Sequence, residues 1–416
     1  MIVPKLRFKG FDQDWTGLKI KDLVKSLDAG VSVNSEDVEP KEDEYSVLKT
    51  SCISSGYFDE NERKRVLQDG EIQRLKEPVL DDSILMSRMN TPLLVGMNAY
   101  VFKAPKNTFL PDRLWQLKID DNKTVTRWLA FYLGSDQGLN QIRDLASGTS
   151  NSMKNITKPD VLNLDLFVPS KEEQTKIASF LSTVDEKISR LTQKHQLLNQ
   201  YKQGMMQKLF SQQFRFKADD GSEFEEWEEK KLGDIFKVTS GATPLRSDER
   251  FFKDADISWV KTTDLNNGLI LKTEEKISQI ALQETSVKIL PKGTVFVAMY
   301  GGFNQIGRTG LLVKEAACNQ ALSAIYPNQN INSYFLLAYL NYKVEDWKNF
   351  AASSRKDPNI TKSDVLAFPF IYPIDLKEQT KIANFLSAID QKIEVVAQQI
   401  EQAKTWKKGL LQQMFV

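Results

Sequence analysis

Two long stretches of this chain place apolar side chains at alternating steps of four and three residues. The pattern continues for about five heptads in each stretch, and such a seam is typical of a coiled-coil helix. It predicts helices over 170–211 and 374–416, the first about 60 Å long at the usual rise per residue. The seam residues that we expect to pack helix against helix are Ile177, Leu181, Val184, Ile188, Leu191, Ile382, Leu386, Ile389, Ile393 and Val396.

The two helical stretches are copies of one another. Residues 173–188 and 378–393 are identical at twelve of sixteen positions, and the alignment continues without a gap beyond them. A repeat of this length is a duplicated module rather than a solenoid of short repeats. We therefore expect two similar working parts in approximate two-fold relation. The helices should be antiparallel, because one carries the chain from its first half to its second and the other returns it.

Both helices begin with a capping signature, Ser170-Lys-Glu-Glu173 and Asp375-Leu-Lys-Glu378. The cap side chain is expected to accept from a backbone N–H, while the glutamate reaches back to the cap residue. A lysine, Lys202 or Lys407, interrupts each seam at the same place. Its aliphatic part could lie along the edge of the seam with the charge in water, or the lysine could fix the register of the two helices.

The remaining segments, about 1–169 and 212–373, form two globular parts that we call the first and second heads. Their borders correspond, whereas their interiors diverge. The matching borders are Trp15–Leu23 with Trp227–Ile235, and Asn155–Leu162 with Asn359–Leu366. Shared borders around different interiors are what two binding heads of different specificity would show.

Both heads are predicted to be α+β, because short β-branched runs precede one amphipathic helix in each. The predicted strands include Tyr45–Lys49, Ile257–Lys261 and Gly293–Ala298, and the predicted helices run from Thr124 to about Leu145 and from Asn332 to about Phe350. The expected fold class is therefore α+β, with two globular heads joined by two long antiparallel coiled-coil helices.

Composition limits the class of protein without choosing a ligand. The 416 residues are 41% hydrophobic and 27% charged, which is typical of a soluble globular protein, and no apolar run is long enough to cross a bilayer. Two cysteines in unrelated contexts, Cys52 and Cys318, indicate a reducing cytoplasm rather than a disulfide framework. Because the net charge is only +1, any nucleic-acid interface has to depend on local basic patches.

Few residues suggest catalytic chemistry. Gly302–Thr309 has the spacing of a P-loop, but Arg308 occupies the position of the lysine that bridges the phosphates, so a glycine-rich loop is the preferred interpretation. The acidic stretch Asp219–Glu229 is predicted to be a solvated linker rather than a nuclease carboxylate set. The single histidine, His195, lies on the first seam and cannot build a histidine metal site alone.

Basic and polar loops of the two heads are the candidate DNA contacts. Their side chains are of the types that bind phosphates and base edges. Each loop taken alone is more simply a solvated surface, but the recurrence of such loops at equivalent places in both heads favours nucleic-acid binding. The candidates are Lys49, Thr50, Arg63, Lys64, Arg65, Arg88, Asn90, Ser150, Asn151, Lys154, Thr243, Arg246, Lys261, Thr262, Thr263, Tyr300, Asn304, Arg308, Arg355 and Lys356.

Several motifs together resemble the specificity subunit of type I restriction-modification systems. They are Trp227–Ile235, Ser240–Pro244, Trp259–Leu265, the repeated Glu-Gln-Thr-Lys-Ile-Ala segment and Lys407–Phe415. The first head departs from the pattern, because Ser-Gly-x-Thr-Pro is represented there only by Asp28–Ser32 and the Trp-Val-Lys-Thr strand only by Ser46–Thr50.

The resemblance implies a division of labour along the chain. Residues 1–169 and 212–373 would be target recognition domains, and 170–211 and 374–416 would be conserved spacer helices that also bind two methyltransferase subunits. Restriction subunits, which act as motor and nuclease, would join that core. AdoMet, ATP and Mg²⁺ would belong to these partners, and this chain would bind no cofactor or metal.

We therefore hypothesise a noncatalytic cytoplasmic subunit that recognises a two-part asymmetric site in double-stranded DNA. Each head would contact about three to five base pairs, and the helices would separate the half-sites by about one turn of DNA, roughly 34–36 Å. One alternative is a coiled-coil scaffold that joins two adaptors without binding DNA. A self-sufficient modification enzyme is disfavoured, because the methyl-donor and Asn-Pro-Pro-aromatic motifs are not found in the sequence.

Overall fold

The computed structural model describes residues 4–148, 152–301, 304–352 and 359–415. The chain forms two compact units, Met1–Thr192 with Gln398–Val416, and Gln193–Ala397. Each unit therefore contains one head, part of the long helix that follows that head, and part of the other long helix. Among the described residues, no helix combines the length and the apolar character that a membrane span needs.

The first head contains eleven strands and four short helices in the part that is described. The strands are β1 (Thr16–Lys19), β2 (Val24–Ala29), β3 (Tyr45–Leu48), β4 (Arg63–Val66), β5 (Ser83–Ser87), β6 (Met89–Asn90), β7 (Asn98–Val101), β8 (Thr108–Phe109), β9 (Leu114–Ile119), β10 (Lys154–Asn155) and β11 (Asp165–Val168). The helices are α1 (Asp69–Ile72), α2 (Thr126–Leu133), α3 (Asp136–Asp144) and α4 (Lys158–Leu162), and the long helix α5 (Lys171–Phe210) follows them.

The second head is built from a similar series of elements. Its strands are β12 (Glu228–Lys231), β13 (Val238–Ser240), β14 (Ile257–Val260), β15 (Gly268–Ile270), β16 (Glu275–Ile277), β17 (Val295–Ala298), β18 (Thr309–Leu312), β19 (Ala317–Cys318), β20 (Leu322–Ile325) and β21 (Pro369–Tyr372). Its helices are α6 (Leu232–Ile235), α7 (Gln279–Glu284), α8 (Ser333–Tyr342), α9 (Val344–Ala352) and α10 (Lys362–Ala367), and the long helix α11 (Leu376–Met414) follows them.

Strand order is the same in the two heads. The large sheet is β2-β9-β5-β7 in the first head and β13-β20-β17-β18 in the second, where β15 adds one parallel edge strand. The small sheets are β4-β3-β8 and β16-β14-β19, each with one antiparallel and one parallel pairing. A two-stranded ribbon, β1-β11 or β12-β21, joins the first and last strand of each head. The divergent interiors therefore fold into one common topology.

A glycine in each head explains how the first head keeps this topology without the Ser-Gly-x-Thr-Pro motif. A Cβ atom on Gly241 would lie 2.1 Å from the carbonyl oxygen of Cys318, and one on Gly30 would lie 1.6 Å from that of Leu110. Backbone therefore approaches backbone too closely for any side chain at either position. Gly30, within Asp28–Ser32, is the structural counterpart of Gly241.

The long helices agree with the heptad prediction. In the first unit the early turns of α5 pack against the late turns of α11, with Leu181 and Val184 in the same core as Leu410 and Met414. In the second unit the late turns of α5 pack against the early turns of α11, with Leu209 in the same core as Leu386. The two helices are therefore antiparallel. The predicted seam residues are buried except Leu191 and Ile393, which are partly exposed.

Secondary structure within the heads confirms some predictions and corrects others. The predicted strands are present as β3, β14 and β17, but each predicted amphipathic helix is a pair of helices. In the first head the break falls at Gly134 and Ser135, because the Ser135 side chain accepts from the backbone N–H of Gly138 and begins a new helix. In the second head the break falls at Lys343, which ends α8 directly before α9.

Strands β12 and β18 bear on two segments that the sequence analysis treated as loops, the acidic stretch Asp219–Glu229 and the P-loop-like segment Gly302–Thr309. Glu228 and Glu229 belong to β12 and pair with β21, so the acidic stretch is not a linker throughout its length. Thr309 begins the buried strand β18. A P-loop leads into a helix whose N-terminus binds phosphate, so this segment is not a nucleotide site. Gly302, the first glycine of that spacing, lies outside the described residues.

Candidate nucleic-acid interface

A lysine–threonine corner occupies the same place in both heads. Lys49 and Lys261 directly follow the central strand of each small sheet and lead into a short 3₁₀ turn that begins at Thr50 or Thr262. Both lysines are ion-paired: Lys49 Nζ lies 2.6 Å from Asp37, and Lys261 Nζ lies 2.7 Å from Glu275. The corner is therefore a shared structural feature with a charged tip.

The strand beside this corner is strongly basic in the first head. It carries Arg63, Lys64 and Arg65, all partly exposed. Arg65 is paired with Glu36 at 2.8 Å, and this hydrogen bond raises the pKa of the guanidinium above its ordinary value. Among the described residues, Arg63 forms no ion pair, and its Nη1 makes a long contact, 3.5 Å, with the hydroxyl of Thr108. Arg63 and Lys64 are thus the best-placed cations of this strand for phosphate.

The equivalent strand of the second head is acidic where the first is basic. Glu275 of β16 receives Arg246 at 2.6 Å and Lys261 at 2.7 Å, and these hydrogen bonds, that of Arg246 first, lower the pKa of the carboxyl. The guanidinium of Arg246 also lies over the ring of Trp259, 5.1 Å from its centroid. Thr263 donates its hydroxyl hydrogen to Glu274. The candidate cations of this corner are therefore largely neutralised.

A second group of candidates in the first head is held together by β6 and β10. Lys154 pairs directly with Asn90 across this ribbon, and Arg88 immediately precedes β6. Leu93, in the loop beyond, leaves 77% of its surface exposed. No hydrogen bond or ion pair of the described residues joins this group to the corner at Lys49. Ser150 and Asn151 lie outside the described residues.

The second head has candidates in the corresponding loops. Tyr300 and Asn304 are exposed and Arg308 is partly exposed, on the segment between β17 and β18. The hydroxyl of Thr243 donates to the side chain of Gln320, so this threonine is engaged within the head. Arg355 and Lys356 lie outside the described residues.

The shared Asn-Ile-Thr border anchors these loops through a buried isoleucine and a helix-capping threonine. Ile156 and Ile360 are buried, and their N–H groups donate to the carbonyls of Arg88 and Met299, at the ends of equivalent strands. The following threonine accepts from the backbone of α4 or α10 as its cap. The border motif is thus explained by folding, and the loops on either side of it are free to vary.

The repeated Glu-Gln pair at the start of each long helix has a role that the sequence analysis missed. Glu173, 1% exposed, accepts from Arg7 through both carboxylate oxygens at 2.7 Å, so the predicted capping box is wrong in its second half. Ser170 does accept from the N–H of Glu173, at 3.3 Å. Glu378, fully buried, is bound in the same way by Arg215, and Trp227 Nε1 donates to it as well.

The neighbouring glutamines complete this attachment. Gln174 Oε1 accepts from the backbone of Val125 and the hydroxyl of Thr124, directly before α2. Gln379 Oε1 accepts from the backbone N–H of Asn332, directly before α8. Each Glu-Gln pair therefore joins a long helix to the beginning and to the main helix of its head. The signal was present in the sequence, because Leu6-Arg-Phe8 and Phe214-Arg-Phe216 recur together with the Glu-Gln pair.

The reactive residue types are explained by packing. Cys52 and Cys318 are buried free thiols, and burial raises the pKa of Cys318 to about 12, which suppresses the thiolate. His195 is a partly exposed seam residue whose carbonyl accepts from Asn199. In the part of the chain that is described, no group of three or more His, Cys, Asp or Glu side chains is arranged to hold a metal ion.

Comparison with known proteins gives a consistent result. A family model described as the type I restriction modification DNA specificity domain matches residues 12–200 and 224–405. The putative type I restriction enzyme MjaX specificity subunit of Methanocaldococcus jannaschii is 24% identical over 413 residues, which cover 96% of this chain and 92% of that protein. The type I restriction enzyme EcoR124I/EcoR124II specificity subunit of Escherichia coli is 22% identical over 281 residues, 65% of each chain.

Solved structures show the same fold. The S subunit of a type I restriction-modification system from M. genitalium is similar with a TM-score of 0.64 at 20% identity, over 100% of this chain and 99% of that one. A chain from a structure of complex assembly and conformational transition in the type I R-M system is similar with a TM-score of 0.55 at 16% identity, over 97% and 98% of the two chains.

Proposed function

This chain belongs to the type I restriction modification DNA specificity domain family, and we propose that it recognises a two-part, asymmetric site in double-stranded DNA, one part with each head. Specificity subunits of this family are noncatalytic and carry two target recognition domains. We assign those domains to 1–169 and 212–373, and the spacer helices to 170–211 and 374–416. The observation that carries the proposal is one strand topology used twice with different surface side chains.

The asymmetry follows from the charges of the two small sheets. Where β4 of the first head presents Arg63 and Lys64, β16 of the second head presents Glu275. Sheets that differ in this way are not expected to contact the same base pairs or the same number of phosphates. A target with two unlike halves therefore fits the structure better than a palindrome does.

We assign different roles to the candidate residues. In the first head, Arg63 and Lys64 would contact phosphates, and Arg88 and Asn90 would reach base edges, with Lys154 beside them. Arg and Asn are the side chains that pair in bidentate fashion with guanine and adenine in the major groove. In the second head, the polar loops at Thr243–Arg246, Lys261–Thr263 and Tyr300–Arg308 would serve the same purpose. Ser150, Asn151, Arg355 and Lys356 remain predictions.

The long helices would also bind the partner subunits of the complex. In the first unit Phe8, Phe180 and Trp406 form a chain of edge-to-face rings, and Trp406 is 49% exposed. In the second unit Phe216 contacts Phe385, and Tyr201, at the repeat position of Trp406, is 51% exposed. Exposed aromatic groups mark protein interfaces. Two equivalent patches favour two copies of one partner, which we propose to be the methyltransferase subunit.

The remaining activities would belong to the partners. AdoMet would be bound by the methyltransferase subunits, and ATP with Mg²⁺ by restriction subunits that join the complex. The assembled complex would act in the cytoplasm, where the DNA is.

The central test is to express the full chain with its methyltransferase subunit in a host without other DNA methylation. Mapping of methylated bases is expected to give one target with two unequal halves and one spacer length. A contiguous or palindromic target would contradict the proposal. Removal of residues 193–196 and 398–401, about one helical turn from equivalent places, should change the spacer and leave both half-sites unchanged.

A gel-shift series in salt separates the proposal from a DNA-independent scaffold. With the methyltransferase present, recognition through phosphates predicts a log–log slope of several between affinity and salt concentration. A complex that assembles with its partners but shows no salt-dependent DNA shift would support the scaffold instead.

A further inference from the structure

In the second unit, the carboxylate of Asp390 joins three helices. Asp390 lies on α11 and receives Nζ of Lys202 from α5 at 2.6 Å. The hydroxyl of Tyr334, the second residue of α8, donates to the other oxygen of the same carboxylate. Lys202 is one of the two lysines that interrupt the apolar seam, and only 20% of its side chain is exposed. Its charge is therefore held at the helix interface and not in open solvent.

In the first unit, Asp185 occupies the same position of the repeat and makes the same connections. Asp185 lies on α5 and receives Nζ of Lys407 from α11 at 2.6 Å. Arg127, the second residue of α2, donates to it at 3.0 Å, and the hydroxyl of Tyr57 donates at 3.1 Å. The cation of Lys407 also faces the ring of Phe131, 5.2 Å from the centroid. Both partners of this ion pair are more than four-fifths buried.

These ion pairs discriminate against other registers of the two helices. One heptad along α11 from Asp390, in either direction, are Ala383 and Ala397. One heptad along α5 from Asp185 are Ala178 and Thr192. A shift by one heptad would keep apolar residues on the seam but would place an alanine or a threonine where each lysine now meets an aspartate, so both ion pairs would be lost. Unpaired charges at a packed interface are costly, so the pairs select one register where the apolar pattern alone permits several.

The same carboxylates bind the heads, through Arg127 in one unit and Tyr334 in the other. A helix that moved along its partner would therefore displace the point at which a head is attached. One heptad corresponds to about 10 Å, which is about three base pairs of B-form DNA. Register and the attachment of the heads are thus determined at the same atoms.

We propose that Asp185 and Asp390 are positioning residues for the spacer: their ion pairs with Lys407 and Lys202 fix the helix register and thereby the number of base pairs accepted between the two half-sites. This inference rests on the proposed function. Neither aspartate is expected to touch DNA. Their effect is on the distance between contacts and not on the contacts themselves.

The test uses the full chain with its methyltransferase subunit and maps methylated sites by spacer length. K202M keeps the aliphatic stem and removes the charge, and D390N keeps the shape of the carboxylate. For both, we expect the share of methylated sites with a spacer other than the wild-type one to rise about tenfold or more, at unchanged half-site sequences. K407M and D185N should act in the same way. A single wild-type spacer in all four variants would overturn the inference.

Y334F is the matched control, because it removes the bond between Asp390 and the head while the ion pair with Lys202 remains. We expect it to keep the single wild-type spacer. Spacer broadening in Y334F equal to that in K202M would show that head attachment, and not register, is what Asp390 determines, and would overturn the inference.

The double variant K202D/D390K covers the case in which single variants do not fold. It restores an ion pair with reversed polarity, so it should fold and methylate sites with the single wild-type spacer. Failure to fold, or a mixture of spacers, would contradict a register role. If the wild-type complex methylates no two-part site at all, it is the proposed function that fails, so the two failures are distinguishable.

Discussion

The first and second heads share the strand order of their large and small sheets, apart from the added edge strand β15, yet the strand beside the lysine–threonine corner differs in charge between them. At equivalent positions of the small sheets, Lys64 pairs with Val47 of the central strand in the first head, and Glu275 pairs with Trp259 in the second. Topology is preserved by buried contacts, whereas the exposed faces of the same strands vary. The comparison indicates that the frame of this fold and its proposed recognition surface are separable.

The frame is maintained by contacts that recur in both heads. They are the close backbone approaches at Gly30 and Gly241, the buried isoleucine of the Asn-Ile-Thr border, and the Glu-Gln attachment to each long helix. These contacts involve main chain or nearly inaccessible side chains, so substitutions on the outside of the sheets leave them intact.

The largest loss of stability should follow from breaking the buried arginine–glutamate pairs, Arg7 with Glu173 and Arg215 with Glu378. R7M leaves Glu173 buried without its cation, and we expect the first unit to lose about 3–5 kcal/mol. R215M should cost less, because Trp227 still donates to Glu378. Hydrogen exchange of peptides from each unit measures both effects. R190M removes an exposed i, i+4 pair with Glu186 and should change almost nothing. Equal losses for R7M and R190M would contradict the account.

The close backbone approaches at Gly30 and Gly241 predict that an alanine at either position lowers the stability of its head by a similar amount. G30A and G241A each place a Cβ within 2.1 Å of a carbonyl oxygen, so the backbone has to move, at about 1–3 kcal/mol. Thermal unfolding of each variant checks this.

The helical glycines provide the control. Gly204 and Gly409, at equivalent positions of α5 and α11, have nothing within 4 Å of an added Cβ. G204A and G409A should therefore be neutral or stabilising. A harmless G30A together with a harmful G241A would show that the two glycines are not counterparts.

The basic strand of the first head predicts an unequal response to loss of charge. K64A should weaken DNA binding about fivefold and lower the log–log salt slope by about 0.9, as expected for one lost phosphate contact. K276A, on the equivalent strand of the second head, should have less than half that effect because Glu275 and Glu274 flank the corner there. A gel-shift salt series measures both slopes. A change in affinity and salt slope for K276A that equals or exceeds the change for K64A would contradict the proposed difference in charge between the two strands.

The smallest expected effect is a dependence of the stability of the second head on pH, which comes from Glu275. Arg246 and Lys261 lower the pKa of this carboxyl in the folded state, so its stabilisation is present above its ordinary pKa. That stabilisation is lost as pH falls through the lowered value. Because the side chain is a third exposed, we expect less than about 1 kcal/mol.

E275Q separates this contribution from the rest of the head. The variant should lose the part of the acid sensitivity that Glu275 supplies, and it should also bind DNA a few-fold more tightly by releasing Arg246 and Lys261. Acid titration of second-head peptides by hydrogen exchange measures the first effect. An acid response identical to that of the wild type would rule out the assignment.

Much of the frame was predictable because it is encoded locally. The heptads of α5 and α11 specify helices, the order of heads and helices along the chain indicates their antiparallel packing, and the β-branched runs specify β3, β14 and β17. The splitting of the amphipathic helices was not foreseen, although Ser135 after Gly134 is a cap signal. The periodic spacing of apolar residues continues across the break between α2 and α3. Such spacing does not show where the main-chain hydrogen bonds of a helix end.

The candidate site was less predictable, because whether its cations are free or neutralised depends on carboxylates that lie elsewhere in the sequence. Side-chain type alone indicated that Lys261 and Arg246 are candidate cations of the second head. It did not indicate that Glu275 neutralises both, or that Lys64 has no such carboxylate on its own strand. Whether a charge faces solvent or an opposite charge is decided by strand pairing across the small sheet.

The duplicated organisation, the two long helices and the family can be recognised from the order of residues alone, because repeats and heptads are visible in the linear sequence. The folded structure was needed to show that Glu173 is bound by Arg7 and that Lys202 and Lys407 are paired at the helix interface. Those partners are more than a hundred residues apart. A local pattern places a charge on a face of a helix, but only the packing of a second element shows what that face meets.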